Sequence, residues 1–305
     1  MRLPEDIARH LVARGELWES VPGLSGMRGT LALLRRNLSL SVAELAGQFT
    51  DDEWQMPRGV SFETLERASY FESFPQWLSG ASHLSGDESV LERIATSVSP
   101  GDLARQSFAS AKAALPPAVC YHTYEALRGK SIASPVVMTA EETCWRHEGA
   151  RLSKLERGWA FTMREIVCLA DSNETESVRQ RGMAEATSFA ASLGLSTRID
   201  VATDPFFAPS ARGKAVLQRV KSLKHELLFD YPDGRSLAIA SFNNHELFFG
   251  DAFDISLADG SPAASACIAF GIERWVLAIL MTYGVNQQDW PDALTRGTAS
   301  IGVAQ

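Results

Sequence analysis

The chain has 305 residues, 45% of them apolar and 22% charged, so it can bury a large core and is too apolar to be a disordered chain. With 37 acidic against 29 basic residues its formal net charge is -8, which excludes a protein that coats DNA through a globally basic surface. The longest clean apolar run, Trp275 to Met281, falls far short of a membrane span. Met1 to Trp18 interleaves charges with no apolar h-region, so no secretory signal is visible. A soluble cytoplasmic protein, with neither DNA nor membrane as partner, is the expectation.

The first hundred residues are predicted to be helices and loops, punctuated by Pro4, Pro22, Pro57, Pro75 and Pro100. Leu31, Leu33, Leu34, Leu38 and Leu40 mark local burial without a sustained heptad, which argues against a long coiled-coil arm. No chemistry is recognisable there, and the expected role is to brace the sheet or a dimer. A short helix is predicted over 101–114, stopped by Pro116 and Pro117. Strands are then predicted at 118–124, 143–148, 159–169, 198–202, 227–231 and 237–242. Helices are predicted at 174–192 and 211–225, with a final apolar one at 271–282. Hairpin-like strands with inserted helices predict an α+β fold on an antiparallel sheet, with a helical/mixed region 1–100 packed on a main domain 101–305. No G-x-G-x-x-G or Walker A string is present, which excludes a doubly wound nucleotide fold.

Cys120, Cys144, Cys168 and Cys267 form no C-x-x-C pair, so a zinc ribbon or thioredoxin motif is excluded. Arg146 and Glu148 make an R-x-E pair on a predicted strand; after a polar loop come Arg157, Gly158 and Phe161. Period-two alternation puts Phe161, Met163, Glu165 and Val167 on one strand face, with Arg164 and Cys168 on the other. One hairpin face would then carry cations, carboxylates and an aromatic ring, which suits a purine nucleotide. An ordinary cross-strand ion pair is the alternative account of Arg146 and Glu148. For Arg274 it is a helix-surface charge, and for Cys120, Glu165 and Cys267 two core thiols and a salt-bridged carboxylate.

The string R-x-E, loop, R-x-x-x-F resembles motif 2 of class II aminoacyl-tRNA synthetases. Ala269-Phe270-Gly271-Ile272-Glu273-Arg274, leading into an apolar helix, resembles their motif 3, with Ala269 where the usual first glycine stands. The helix stopped by Pro116 and Pro117 resembles motif 1, the dimer-building element. Cys120, Glu165 and Cys267 are distributed like the zinc ligands of the atypical archaeal seryl-tRNA synthetases and of their truncated bacterial homologues, the amino acid:[carrier protein] ligases. The resemblance implies a homodimer with one Zn²⁺ per subunit held by Cys120, Glu165 and Cys267, and Mg²⁺ entering with ATP. It implies that Arg146 holds the substrate carboxylate and α-phosphate, and that Arg274 clamps the γ-phosphate side. Glu148, Arg157 and Gly158 would receive adenine stacked on Phe161, and Ala238, Ile239, Ala240 and Ser241 would line the far wall. Asn243, together with Glu165 and Arg146, would border the amino acid; Asn244 and His245 lie beside it. Cys144 and Cys168 are expected to be packing residues.

The acceptor is a separate question. Ala211 to Lys224 contains Arg212, Lys214, Arg219, Lys221 and Lys224 and no acidic residue. On a helix, Val216, Val220, Leu223 and Leu227 make an apolar seam flanked by those cations. That pattern suits docking of a small acidic carrier protein, and the carrier-protein ligase family uses an extra helix at this place. A solvated amphipathic helix packed on the sheet remains an alternative, as does contact with tRNA phosphates. The expected activity is ATP-dependent activation of glycine or alanine and transfer to a phosphopantetheine thiol. A truncated synthetase charging tRNA and a catalytically silent regulatory paralogue are the alternatives; the missing arm argues against tRNA, and both arginines argue against silence.

Overall fold

Six segments pair into one sheet, the first three rich in β-branched and aromatic residues and the others not: β1 (Val136–Trp145), β2 (Ala160–Ala170), β3 (Thr197–Val201), β4 (Lys224–Asp230), β5 (Ser236–Glu246) and β6 (Ala264–Gly271). Their order is β1-β2-β6-β5-β4-β3, and every neighbouring pair is antiparallel. This computed structural model describes residues 3–133, 135–207 and 212–295. The helices that position the site are α1 (Pro4–Ala13), α2 (Gly29–Ala46), α3 (Cys120–Ala126), α4 (Ser172–Ser192), α5 (Arg212–Val220), α6 (Phe248–Ala252) and α7 (Ile272–Tyr283).

One sheet face is mostly apolar. Leu31, Leu34, Leu38 and Val42 recur at helical spacing along α2 and pack with the apolar run Trp275–Met281 of α7 against Ile166, Ile268 and Phe270. Burying a Leu or Ile side chain stabilises by about 1.5–3 kcal/mol, so these helices hold the sheet in place. The other face splits between a smaller apolar cluster, under α3 and α6, and the site. Residues 52–54 close the outer edge of β1: Trp54 N donates to Thr139 O at 2.8 Å and Thr139 N to Asp52 O at 3.0 Å. Among the described residues no helix is long and apolar enough to cross a membrane.

Several predicted elements differ. The helix expected over 101–114 spans only Pro100–Gln106 and buries no residue. Ala113–Ala114 instead pairs with Gly80–Ala81, so the motif 1 helix is not there, and the long N-terminal helix is α2. The strand expected over 118–124 is α3. Its two amides at Val119 and Cys120 donate to the buried Glu165 carboxylate, and a partner that far away in sequence outweighs local β propensity. The helix expected over 211–225 ends at Val220; Ser222 is left-handed (φ 53°) and Lys224 already belongs to β4. The strand before the polar loop ends at Trp145, placing Arg146 and Glu148 on its exit. β6 and the start of β1 were not predicted.

Gly250 in α6 shows how tightly this face closes. A Cβ there would lie 2.0 Å from the Ala263 carbonyl oxygen, a backbone atom that cannot step aside. Gly250→Ala is expected to destabilise the chain by about 1–3 kcal/mol, despite alanine's better helix propensity, and a thermal melt measures it. An unchanged melting temperature would show that the α6–β6 approach is looser than this.

Candidate functional site

The antiparallel register builds the site row by row. Directly opposed residues share a face, so Cys267 faces Asn243 on β5, and Asn243 faces Lys224 on β4. One row along, Glu165 on β2 lies opposite Ala269, and Ala269 opposite Ser241. Above this face α3 begins at Cys120. The ligating atoms of Cys120, Glu165 and Cys267 all lie within 4.8 Å of one another, and all three residues are buried. Glu165 accepts from Val119 N at 3.0 Å and from Cys120 N at 3.1 Å, one bond to each oxygen.

Three acidic groups this close, out of water, cannot all ionise without a cation. Burial, with the neighbouring Cys267, pushes the Glu165 carboxyl up to about 8. The Cys120 thiol, hydrogen-bonded to Cys267 and buried, is held well above the ordinary thiol range. Two sulfurs and one carboxylate fit Zn²⁺ in donor type, and three protein ligands leave a coordination position for substrate. The same set is too sulfur-rich for Mg²⁺.

A cavity of about 250 Å³ runs from this triad along the sheet. Arg146, Glu148, Arg157, Gly158, Phe161 and Arg274 line it, as do Ala238, Ile239, Ala240, Ser241, Asn243, Asn244 and His245. Every residue expected to border the nucleotide or the amino acid therefore faces one space. Arg157 pairs with Glu148 at 2.9 Å. Arg146 and Arg274 have no carboxylate partner among the described residues. Arg146 Nε donates to Pro117 O at 2.9 Å, and its guanidinium lies 5.6 Å from the Trp77 ring centroid and 5.4 Å from that of Phe161. Arg274 Nε donates to Glu156 O at 2.9 Å and its Nη1 to Ala238 O at 3.0 Å. Burial, then the Arg157 guanidinium nearby, presses the Arg274 pKa below its ordinary value. Two guanidiniums in one cleft, neither of them ion-paired among the described residues although Glu148, Glu165 and Glu226 act on them at longer range, can receive a polyanion. At Gly158 a Cβ would meet Ala160 O at 2.5 Å, so this turn of the wall admits no side chain.

Sequence reasoning missed one wall. Tyr70, Phe74 and Trp77 line the cavity, so the first hundred residues do carry part of the site. Phe74 stacks on Trp77 at 5.4 Å and on Phe206 at 5.2 Å. Their spacing at i, i+4 and i+7 was the available signal. Glu273 was quoted only as part of motif 3, yet it lines the cavity, accepts Thr162 N at 2.8 Å and pairs with Arg35 at 3.3 Å.

The basic segment divides. Lys214 and Arg219 lie on α5 and Lys221 directly follows it, and Val216 and Val220 on the helix are 64% and 77% exposed. Lys214 pairs with Glu72 at 3.4 Å and Lys221 with Glu246 at 2.8 Å. Ala211 and the Arg212 side chain lie outside the described residues. Lys224 is no docking residue: it is buried in the cavity wall, ion-paired to Asp204 and Glu226, and Leu227 is core. Asp204 also accepts from Gln218 Nε2 at 2.8 Å, which ties α5 to the cavity. Cys144 and Cys168 are buried, as expected of packing residues.

No family model matches the chain. It is 34% identical over 240 residues to amino acid--[acyl-carrier-protein] ligase 1 of Bradyrhizobium diazoefficiens, covering 78% of this chain and 73% of that protein. To ligase 2 of the same organism it is 37% identical over 243 residues, covering 79% and 72%. The chain belongs to the amino acid--[acyl-carrier-protein] ligase family. Among more distant relatives of this ligase, the type-2 serine--tRNA ligase of Methanopyrus kandleri is 24% identical over 261 residues, covering 78% of this chain and 49% of that one. The M. kandleri seryl-tRNA synthetase, solved with A. aeolicus tRNASec, superposes with a TM-score of 0.84 at 20% identity, over 97% of this chain and 60% of that one. The cytoplasmic serine-tRNA ligase of Naegleria fowleri, solved with AMP, gives 0.73 at 14% identity, over 95% and 58%. These likenesses establish the class II synthetase fold, an antiparallel α+β catalytic domain.

Proposed function

We propose that this ligase activates glycine or alanine as the aminoacyl-adenylate and passes it to the phosphopantetheine thiol of an acyl-carrier-type protein. The observation that carries the reading is a buried Cys–Glu–Cys ligand set sharing one cleft with two guanidiniums that lack carboxylate partners. Zinc held by Cys120, Glu165 and Cys267 would supply a Lewis-acidic seat for the α-amino nitrogen. Tyr121, His245 and Phe249 crowd that end of the cleft, with Tyr121 edge-on to Phe249 at 6.2 Å, which favours a small amino acid.

Arg146 would hold the substrate carboxylate against the α-phosphate and balance charge as the carboxylate oxygen attacks phosphorus and pyrophosphate leaves. Arg274 would grip the departing end of the triphosphate, with Mg²⁺ carried in on the phosphate oxygens. Adenine would stack on Phe161 between Glu148, Arg157 and Gly158, with 238–241 as the opposite wall. The thiol sulfur then attacks the adenylate carbonyl, the C–O bond to AMP breaks, and the thiol proton goes to solvent. A homodimer, as the synthetase resemblance implies, completes the reading; light scattering at working concentration tests it.

Amino-acid-dependent ATP–pyrophosphate exchange, screened over all twenty amino acids with zinc present, tests activation. Exchange with none of them rejects the enzyme reading. Charging of tRNA is the competing reading, favoured by the likeness to serine--tRNA ligases, although the chain spans about half the length of those relatives. Holo-carrier protein and total tRNA assayed side by side separate the two, and stable tRNA charging rejects the carrier-protein choice.

The exposed seam of α5 supports carrier docking by hydrophobic contact and charge. Val216→Asp with Val220→Asp is expected to raise the KM for carrier protein at least about tenfold, equivalent to about 1.4 kcal/mol, while exchange stays at the wild-type rate. Both side chains are largely exposed, so the fold is not at stake. Unchanged transfer kinetics would remove α5 from the docking surface.

A further inference from the structure

Asn243 was expected to border the amino acid, but its amide has a nearer partner. Its Nδ2 lies 3.6 Å from Cys267 Sγ, an ordinary N–H···S distance for an atom as large as sulfur, and 3.5 Å from Ser241 Oγ. The contact is fixed by register, because Asn243 and Cys267 are directly opposed on β5 and β6. Those strands lie in the middle of the sheet, between β2 and β4, so neither can slide. The orientation of the amide follows from chemistry. A thiolate accepts hydrogen bonds, and turning the amide over would set its carbonyl oxygen against the sulfur charge. Glu165 is held in the same manner by the Val119 and Cys120 amides, so two of the three candidate ligands have an outer donor.

We infer that Asn243 is a positioning residue for the metal centre: its amide N–H fixes and partly neutralises the Cys267 thiolate that holds the cation. The inference rests on the zinc reading above and adds a role for a residue that is not itself a ligand. Outer donors of this kind typically change metal affinity by 10–100-fold when removed. An N–H···S bond also draws electron density from the sulfur, so its loss moves the sulfur-to-metal charge-transfer energy, which a purely structural role would leave in place.

The test uses the full chain, with cobalt(II) as spectroscopic probe and zinc affinity measured by chelator competition. Asn243→Ala and Asn243→Asp are both expected to weaken zinc binding about 10–100-fold and to shift the cobalt charge-transfer band. Asn243→Ser, which keeps a short donor, is expected to lie between them and wild type. Melting curves of the metal-free variants that match wild type separate this from a folding defect. Wild-type zinc affinity and an unmoved cobalt band in both variants would overturn the inference, and a raised amino-acid KM in the same proteins would return Asn243 to the substrate. A wild-type chain that binds no zinc would overturn the zinc reading together with this inference, so the two failures are distinguishable.

Discussion

Amino-acid-dependent pyrophosphate exchange is expected to fall about 10²–10³-fold in Arg146→Ala, through kcat more than through KM. The argument is electrostatic. In this cleft the guanidinium has aromatic rings on two sides and one backbone acceptor, and no ion pair among the described residues holds it, Glu165 acting on it only at longer range. Such a cation is worth most when negative charge builds beside it, as happens at the α-phosphorus when the carboxylate oxygen attacks. Its structural duties are one bond to Pro117 O, which water entering the cleft can replace, and its contacts with the Trp77 and Phe161 rings, so the melting temperature should change only modestly. Arg146→Lys should recover little of the loss, because an ammonium is a point donor and the geometry asks for a planar fork bridging two anionic groups. A well-folded Arg146→Ala protein that exchanges at the wild-type rate would reduce Arg146 to a wall of the cavity and remove the mechanism proposed for it.

What was legible in the sequence were the features that repeat locally. The alternation of Phe161, Met163 and Glu165 gave their common face, and all three line the cavity. The apolar run after Arg274 gave α7, and the motif strings gave both arginines. What was illegible depended on partners far away in the chain. The segment after Pro117 is β-branched and aromatic enough to read as a strand, yet a carboxylate 45 residues away from Cys120 seats the start of a helix there. Lys224 looks like one more cation on a basic helix; only the Asp204 and Glu226 carboxylates facing it make burial affordable, and neither belongs to a motif. Tyr70, Phe74 and Trp77 had a helical spacing, but nothing in the sequence says that their stripe covers a site rather than a core. Local pattern therefore located the cations and the sheet, while the aromatic wall and the start of α3 required the fold.

Removing one sulfur from the triad gives the other large effect. Cys267→Ala is expected to lose its zinc and its exchange activity together, while the chain still folds. Cys267 is a small buried side chain on a central strand, and alanine fills most of its space without stranding a charge. Two remaining ligands hold zinc too weakly to compete with buffer chelators. The discriminating measurement is the response of the melting temperature to a chelator. Bound zinc stabilises the native chain by mass action, so chelation should lower the melting temperature of wild type and leave that of Cys267→Ala where it was. The metal-free wild-type chain should also show a pH signature. Its Glu165 carboxyl, pushed up to about 8 against an ordinary 4.5, keeps between those limits a proton that the unfolded chain has lost, while Cys267, hydrogen-bonded to Cys120 and held well below the ordinary thiol range, gives one up. The stability contributed by the Glu165 proton should therefore be lost as pH rises from about 4.5 to about 8, and that contributed by Cys267 gained as its thiol ionises. With zinc bound the carboxylate is a ligand and the Glu165 contribution should vanish, leaving the stability to rise with pH as the thiols lose their protons to the metal. A metal-free Cys267→Ala protein that still activates an amino acid would separate the thiols from substrate binding, and the amine would then need another seat in the cleft.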